Sequence, residues 1–230
     1  SLGIKVEYNK EIGKDIKIEN IAQKYDKVVL AIGANVSSRM NIPGEDLNGV
    51  YGGNELLENK DYPDFKGKTV AVIGGGNVAM DTSRTIQRLG AKKVFVIYRR
   101  AEEQMPAEKK EILDAKEEGI KFAFQNNIVK ILGKEKVDKV ELIKTELVKK
   151  ENETRLVPVN IENSNYIIDV DYIVMALGSK PQNFVKDLGL ELNKWGNINI
   201  NEKYQTSNEK IFAGGDLAGI KGTVAWAANS

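Results

Sequence analysis

Apolar and polar positions along this chain fall into short β-like runs punctuated by glycine turns, with few helical stretches between them. The most regular run is Val70-Ala71-Val72-Ile73, followed by Gly74-Gly75-Gly76 and then by apolar residues at Ala79, Met80, Ile86 and Leu89. Four apolar, mostly β-branched residues in succession predict a strand buried on both faces. The glycines predict a tight turn, and the spacing after them a helix that ends near Leu89 with Gly90 as its stop. Positions 93–98 then predict the second parallel strand of a right-handed βαβ unit. Met105-Pro106-Ala107 leads a charged helix through Glu118 whose inner face is Ile112, Leu113 and Ala115, whose Glu/Lys crowding reads as a solvated surface with i,i+4 pairs, and which Gly119 ends. A third parallel strand is predicted at 120–124. Positions 128–132, 137–147, 155–159 and 166–170 read as an antiparallel meander with its tip near 149–153.

The flanks are less regular. Short strands are predicted at 3–8 and 27–34, a helical turn at 18–22, and a turn-rich connector around 42–54 with a short helix through Asn59. Another strand is expected at 197–201. The run 210–216 reads as a buried strand ending in Gly214-Gly215-Asp216, and 222–228 opens a helix so apolar that burial is expected. One internal echo stands out: 171–178 repeats in kind the pattern of 25–33, both ending Ala-x-Gly. The resulting architecture is a mainly parallel α/β sheet with helices on both faces, joined to a smaller domain built from both ends of the chain.

Composition narrows the chemistry. The chain has 34 basic and 33 acidic residues, net charge +1, so no single-sign field points to nucleic acid or an anionic membrane. No apolar run approaches the roughly 18 residues of a membrane span and no signal peptide is read at the start, so a cytoplasmic location is expected. With no cysteine and no histidine, disulfide exchange, ordinary zinc sites and a histidine base are excluded, and no metal ligand is assigned. A bound cofactor is then expected to carry the chemistry.

The run Gly74-Gly75-Gly76-Asn77-Val78-Ala79 has the spacing of a dinucleotide-binding turn between strand and helix. Gly74 allows the turn, Gly76 leaves room for a pyrophosphate, and the helix N-terminus favours the phosphate charge. A plain packing turn is the alternative. Where an NAD site places an acid, about 20 residues after the glycines, this chain has Tyr98-Arg99-Arg100. Two guanidinium groups suit a 2′-phosphate, hence NADP(H), against the alternative of a solvated arginine pair. Gly67-Lys68-Thr69 is not a P-loop, because Tyr62 stands where its first glycine belongs and a strand follows.

Taken together, Asp26–Ala34 with Ile42-Pro43-Gly44-Glu45-Asp46, the glycine turn, Tyr98-Arg99-Arg100 with Met105-Pro106-Ala107, 171–178, and 211–216 followed by Gly222-Thr223 resemble the two-dinucleotide-binding-domain flavoproteins. More narrowly the chain resembles the small (beta) subunit of NADPH-dependent glutamate synthase and its relatives. The resemblance implies an α/β fold: a Rossmann-like NAD(P)-binding domain at 63–179, carrying the meander, inserted in a partial FAD-binding domain made of 1–62 and 180–230. It implies a fragment that lacks the iron–sulfur domain and first FAD phosphate motif of its relatives. Thioredoxin reductase fits less well, because its middle domain carries a C-x-x-C.

On that resemblance, Gly75, Gly76, Asn77 and Val78, after the turn that Gly74 allows, wrap the NADP pyrophosphate, Arg99 and Arg100 hold the 2′-phosphate, and Ala176, Leu177 and Gly178 lie beside the nucleotide. Ile32 and Gly33 border FAD, Gly215 and Asp216 meet its ribityl and phosphate part, and Thr223 and Val224 approach the flavin. Hydride passes directly from nicotinamide to flavin in such enzymes, so no catalytic side chain is named. The implied function is an oxidoreductase in which NADPH reduces FAD and electrons continue through iron–sulfur clusters of the absent domain to a partner, the large glutamate synthase subunit, that forms glutamate from glutamine and 2-oxoglutarate. A ferredoxin-dependent transhydrogenase with another electron acceptor is the alternative within the class. A non-catalytic NADP(H)-binding module is the alternative for the isolated fragment, which is expected to be inactive and to self-associate through apolar surface.

Overall fold

Alternation along an extended backbone sends Val70 and Val72 to one side and Ala71 and Ile73 to the other, and all four are buried. A strand covered on both faces needs two covering layers. The computed structural model describes residues 3–151, 155–220 and 224–230 and shows what those layers are. In chain order its elements are α1 (Ile18–Lys24), β1 (Val28–Leu30), β2 (Val36–Ser37), β3 (Val50–Gly52), α2 (Gly53–Asn59), β4 (Thr69–Ile73), α3 (Asn77–Arg88), β5 (Lys93–Tyr98), α4 (Lys109–Glu117), β6 (Lys121–Phe124), β7 (Asn126–Gly133), β8 (Val137–Val148), β9 (Val157–Asn160), β10 (Tyr166–Asp169), β11 (Tyr172–Met175), β12 (Ser179–Lys180), β13 (Ile211–Ala213) and α5 (Val224–Asn229). The chain divides into two units, residues 37–179 and the combined ends 1–36 and 180–230.

In the 37–179 unit a parallel sheet runs in the order β3-β11-β4-β5-β6. Its strands β4, β5, β6 and β11 and helices α3 and α4 lie where the sequence predicts them. The edge strand β3 is an addition, formed inside a stretch that reads as connector. One face packs Val70, Val72, Val94, Val96 and Val174 against Leu56 of α2, Met80 and Ile86 of α3, and Ile112 and Ala115 of α4. The other face carries Ala71, Ile73, Ile97, Ile173 and Met175 against Ile128, Ile131, Val140 and Leu142. Helices therefore cover one face only, contrary to the expectation of both. The meander has its own apolar stripe and returns over the sheet, with β7, β9 and β10 each antiparallel to the long β8, so it takes the place of a second helical layer.

Two further details differ from the sequence reading. Leu113 is 57% exposed, because Ile112 and Ala115 already fill the inward side and a neighbour one residue on is turned by about 100°. The acids of α4 do not pair mainly along their own helix. Arg84 of α3 binds Glu111, Asp114 at 3.2 Å and Glu118 at 2.9 Å, and Arg88 binds Glu118 at 2.6 Å. Hydrogen bonding from Arg88, opposed in part by burial, holds the Glu118 carboxyl below its usual range. A depressed carboxylate stabilises the fold above its unfolded pKa and loses that contribution as pH falls through the folded value. Glu118→Gln is accordingly expected to flatten the acid side of the stability profile below about pH 4, read by thermal unfolding across pH.

The Ile42-Pro43-Gly44-Glu45-Asp46 segment has a structural reason. The buried Glu45 carboxylate accepts the backbone N–H groups of Met40, Asn41 and Ile42 at 3.0, 2.7 and 3.3 Å. Gly44, at φ +84°, lies against the Ile131 carbonyl, where a Cβ would collide. The first closes the loop on itself; the second, with Ile131 N–H donating to Pro43 O at 2.9 Å, anchors it on β7.

In the unit of the two ends, β1 pairs with β13 in parallel, over a core of Ile18, Leu30, Val185, Leu188, Ile198, Ile211 and Leu217. Residues 3–8 form no strand, and Ile4, Val6 and Tyr8 are exposed, since alternation alone cannot hold a strand without a neighbour to bond it. The strand expected at 197–201 reduces to one antiparallel bridge between Ile198 and Leu192. Helix α5 forms, but none of its described residues is buried.

Candidate functional site

The carboxyl ends of β4, β5 and β11 lie side by side in one sheet, the edge at which open α/β sheets bind ligands. Gly74 follows β4 at φ +142°, and a Cβ there would collide with the Ala176 carbonyl just beyond β11. Its N–H donates to Ile97 O at 3.0 Å, while Ala176 N–H donates to Ile73 O at 2.8 Å. The first glycine is thus demanded by the neighbouring strand end. Gly75 is demanded by Tyr98, whose ring lies 2.6 Å from where its Cβ would stand. Gly76 is different: the nearest atom to a Cβ would be Pro106 Cγ at 3.9 Å, and its backbone is extended, φ −92°. Space is left open above this third glycine alone, at the N-terminus of the 12-residue α3.

Asn77 is exposed there and Val78 half-buried. The first backbone bond of the turn runs from Ala79 N–H to Gly76 O at 3.0 Å, which leaves the N–H groups of Asn77 and Val78 without a helical acceptor. Those donors and the helix dipole can receive an anion.

At the end of β5, Arg99 is exposed and Arg100 half-buried. Their backbones are fixed by the antiparallel layer: Thr145 Oγ1 donates to Arg99 O at 2.8 Å and Gln125 N–H to Arg100 O at 3.0 Å. Arg39, Arg84 and Arg88 each have a carboxylate partner. Arg99 and Arg100 have none among the described residues, and Arg100 Nε is buried without an acceptor. Ala176 is buried and Leu177 37% exposed, while Gly178 O accepts Ser38 N–H at 2.9 Å. Gly74–Val78, Arg99–Arg100 and Ala176–Gly178 therefore meet along one edge.

The remaining sequence candidates lie in the other unit. A cavity of about 370 Å³ is lined there by Val29, Gly33, Gly214, Gly215 and Asp216, among others. Ile32 packs instead against the unit's core, and Val224 is 88% exposed and off the cavity. Thr223 lies outside the described residues. Gly215 N–H donates to Ser230 Oγ at 2.9 Å. Lys203 and Tyr204 also line this cavity and were not foreseen. They reach it through the antiparallel bridge between Gln205 and Phe212, for which spacing along the chain gives no signal.

A profile of the pyridine nucleotide-disulphide oxidoreductases matches residues 3–230. The chain belongs to that family. Within it, the chain is 36% identical over 237 residues to the small chain of NADPH glutamate synthase from Escherichia coli K12 and 34% over 234 residues to that of Halomonas elongata, covering 94% of this chain and 50% of each relative. The beta subunit of NADPH-Fe(3+) oxidoreductase from Geobacter sulfurreducens is 35% identical, over 86% of this chain and 31% of the relative. The chain thus spans about half the length, or less, of these curated relatives. Among solved family folds, Mycobacterium tuberculosis FprA in complex with NADPH superposes with a TM-score of 0.83 at 20% identity, over 96% of this chain and 64% of that one. Thioredoxin reductase from T. acidophilum gives 0.68 at 22% identity, over 88% and 61%. The α/β fold with its parallel sheet and antiparallel layer agrees with the fold class read from the sequence. No described helix is long and apolar enough to cross a membrane, and no described cluster of His, Cys, Asp or Glu could hold a metal.

Proposed function

We propose that this chain is the nucleotide-handling part of an NADPH-dependent FAD oxidoreductase of the glutamate synthase small-chain type. The observation that carries the reading is the pair Arg99–Arg100, without carboxylate partners among the described residues, at a strand end beside the open space over Gly76. A 2′-phosphate satisfies both guanidinium groups, as an NAD ribose held by an acid does not. Gly75, Gly76, Asn77 and Val78 would receive the pyrophosphate, and Ala176–Gly178 would lie beside the nucleotide. The NADP(H) domain is assigned to 63–179 together with 37–62, because β3 and α2 belong to the same sheet and core, and 1–36 with 180–230 are assigned to parts of an FAD domain. In the latter, Gly33, Gly215 and Asp216 line a cavity suited to part of a flavin nucleotide. Bound together, the two cofactors supply hydride transfer from nicotinamide to flavin. The residues here bind and orient, and none needs to move a proton.

Relatives named as a small chain and as beta subunits support a partner protein that takes the electrons onward, the large glutamate synthase subunit in the first case. The similar identity to the NADPH-Fe(3+) oxidoreductase subunit favours a second reading in which only the acceptor differs. Titration calorimetry of the 230-residue chain tests the site: NADPH is expected to bind at least about tenfold more tightly than NADH. Equal affinity for both removes the 2′-phosphate assignment.

A further inference from the structure

Tyr98 touches three parts of the nucleotide edge at once. Its ring lies against Gly75, with three ring atoms 2.6 to 3.0 Å from the position of a Cβ there. Its hydroxyl donates to Gln104 O at 2.7 Å, and it is the residue immediately before Arg99. The segment 101–108 that it grips returns to the glycine turn twice more: Ala107 N–H donates to Gly75 O at 3.1 Å, and Glu108 N–H to Asn77 Oδ1 at 3.0 Å. Two buried polar atoms beside it, Arg100 Nε and Gln104 Oε1, have no partner. Burial, against the charge of both guanidinium groups and a side-chain hydrogen bond with Arg100, raises the Tyr98 pKa, so the hydroxyl keeps its proton at neutral pH and acts as a hydrogen-bond donor.

We propose that Tyr98 is a positioning residue for dinucleotide discrimination: ring on Gly75 and hydroxyl on the 101–108 segment, it sets the reach of Arg100 relative to the pyrophosphate turn. The unpartnered Arg100 Nε and Gln104 Oε1 are then the donor and acceptor left for the adenosine end of the ligand. This inference rests on the NADP(H) reading of the edge. A purely structural tyrosine differs in its consequence: its loss weakens both nucleotides alike and leaves their ratio unchanged.

The test is calorimetry with NADPH and NADH on the wild type, Tyr98→Phe, Gly75→Ala, Tyr98→Ala and the Gly75→Ala/Tyr98→Ala double variant, with thermal unfolding to confirm folding. Tyr98→Phe keeps the ring and removes the bond to Gln104 O and the hydroxyl's interaction with Arg100, so the NADPH-over-NADH preference is expected to fall about fivefold with the unfolding temperature nearly unchanged. Gly75→Ala must push the ring away. It is expected to cost NADPH affinity about tenfold in the wild type and far less in the Tyr98→Ala background, a non-additivity that reports their contact. An unchanged nucleotide ratio in Tyr98→Phe, or additive effects across the cycle, overturns the role of Tyr98 while leaving the site intact. If the wild type itself shows no NADPH preference, the site reading fails and the inference with it.

Discussion

The Arg99→Ala/Arg100→Ala variant is expected to bind NADPH about 100-fold more weakly than the wild type while its NADH affinity changes by no more than about twofold. Each guanidinium that meets a phosphate in this partly shielded site contributes a charge-assisted hydrogen bond worth about 1.5 to 3 kcal/mol. Two such losses reach two orders of magnitude even after a discount for the exposure of Arg99. NADH lacks the 2′-phosphate and loses nothing comparable. The backbones of both arginines are tied down by Thr145 and Gln125, and neither side chain is in an ion pair among the described residues, so their removal should leave the fold in place. Calorimetry with both nucleotides reads the result. Parallel losses for NADPH and NADH would falsify the phosphate assignment and mark the pair as a general anchor.

The second large effect separates folding from binding within three consecutive glycines. Gly74→Ala is expected to destabilise the protein by about 3 to 4 kcal/mol, lowering its unfolding temperature by about 10 °C. The added methyl meets the Ala176 carbonyl, and φ +142° suits no L side chain. Gly76→Ala, with 3.9 Å of clearance to Pro106 and an ordinary extended backbone, is expected to leave stability within about 0.5 kcal/mol and to weaken NADPH binding about tenfold by filling the space a pyrophosphate needs. Thermal melts and calorimetry on the same two preparations give the comparison. A stable Gly74→Ala protein, or a Gly76→Ala protein that binds normally, contradicts the division of labour proposed for the turn.

Much of this was legible in the sequence because it depends on local pattern. The run 70–73 has a strand's length and the composition of one buried on both faces, Gly74–Gly76 mark the turn, and β5 spans the predicted 93–98. The antiparallel strands carry alternation strong enough to place all four. What covers a face, however, is a tertiary fact. Ala71, Ile73 and Ile97 read the same whether a helix or β7 and β8 lie over them. The strand expected at 3–8 shows the opposite failure, an alternating pattern without a partner. At the site, the sequence places the glycines and arginines at one sheet edge but assigns Gly74 only to the turn, whereas its close neighbour is the Ala176 carbonyl. The Tyr98 ring on Gly75 leaves no trace in spacing, and neither do Lys203 and Tyr204 beside the cavity of the other unit.

The two ends of the 37–179 unit meet: Ser38 N–H donates to Gly178 O at 2.9 Å, and Ser179 Oγ accepts from Asn54 Nδ2 of α2 at 2.7 Å. A segment whose entrance and exit coincide can be excised without stranding a loose end, and its two termini can be joined by a few residues and reopened elsewhere. Residues 37–179 are therefore a natural cassette. They are expected to fold when produced alone, circularly permuted or spliced into a surface loop of an unrelated host, carrying the glycine turn, the arginine pair and Tyr98 as one set, which a cooperative thermal melt of the excised segment checks.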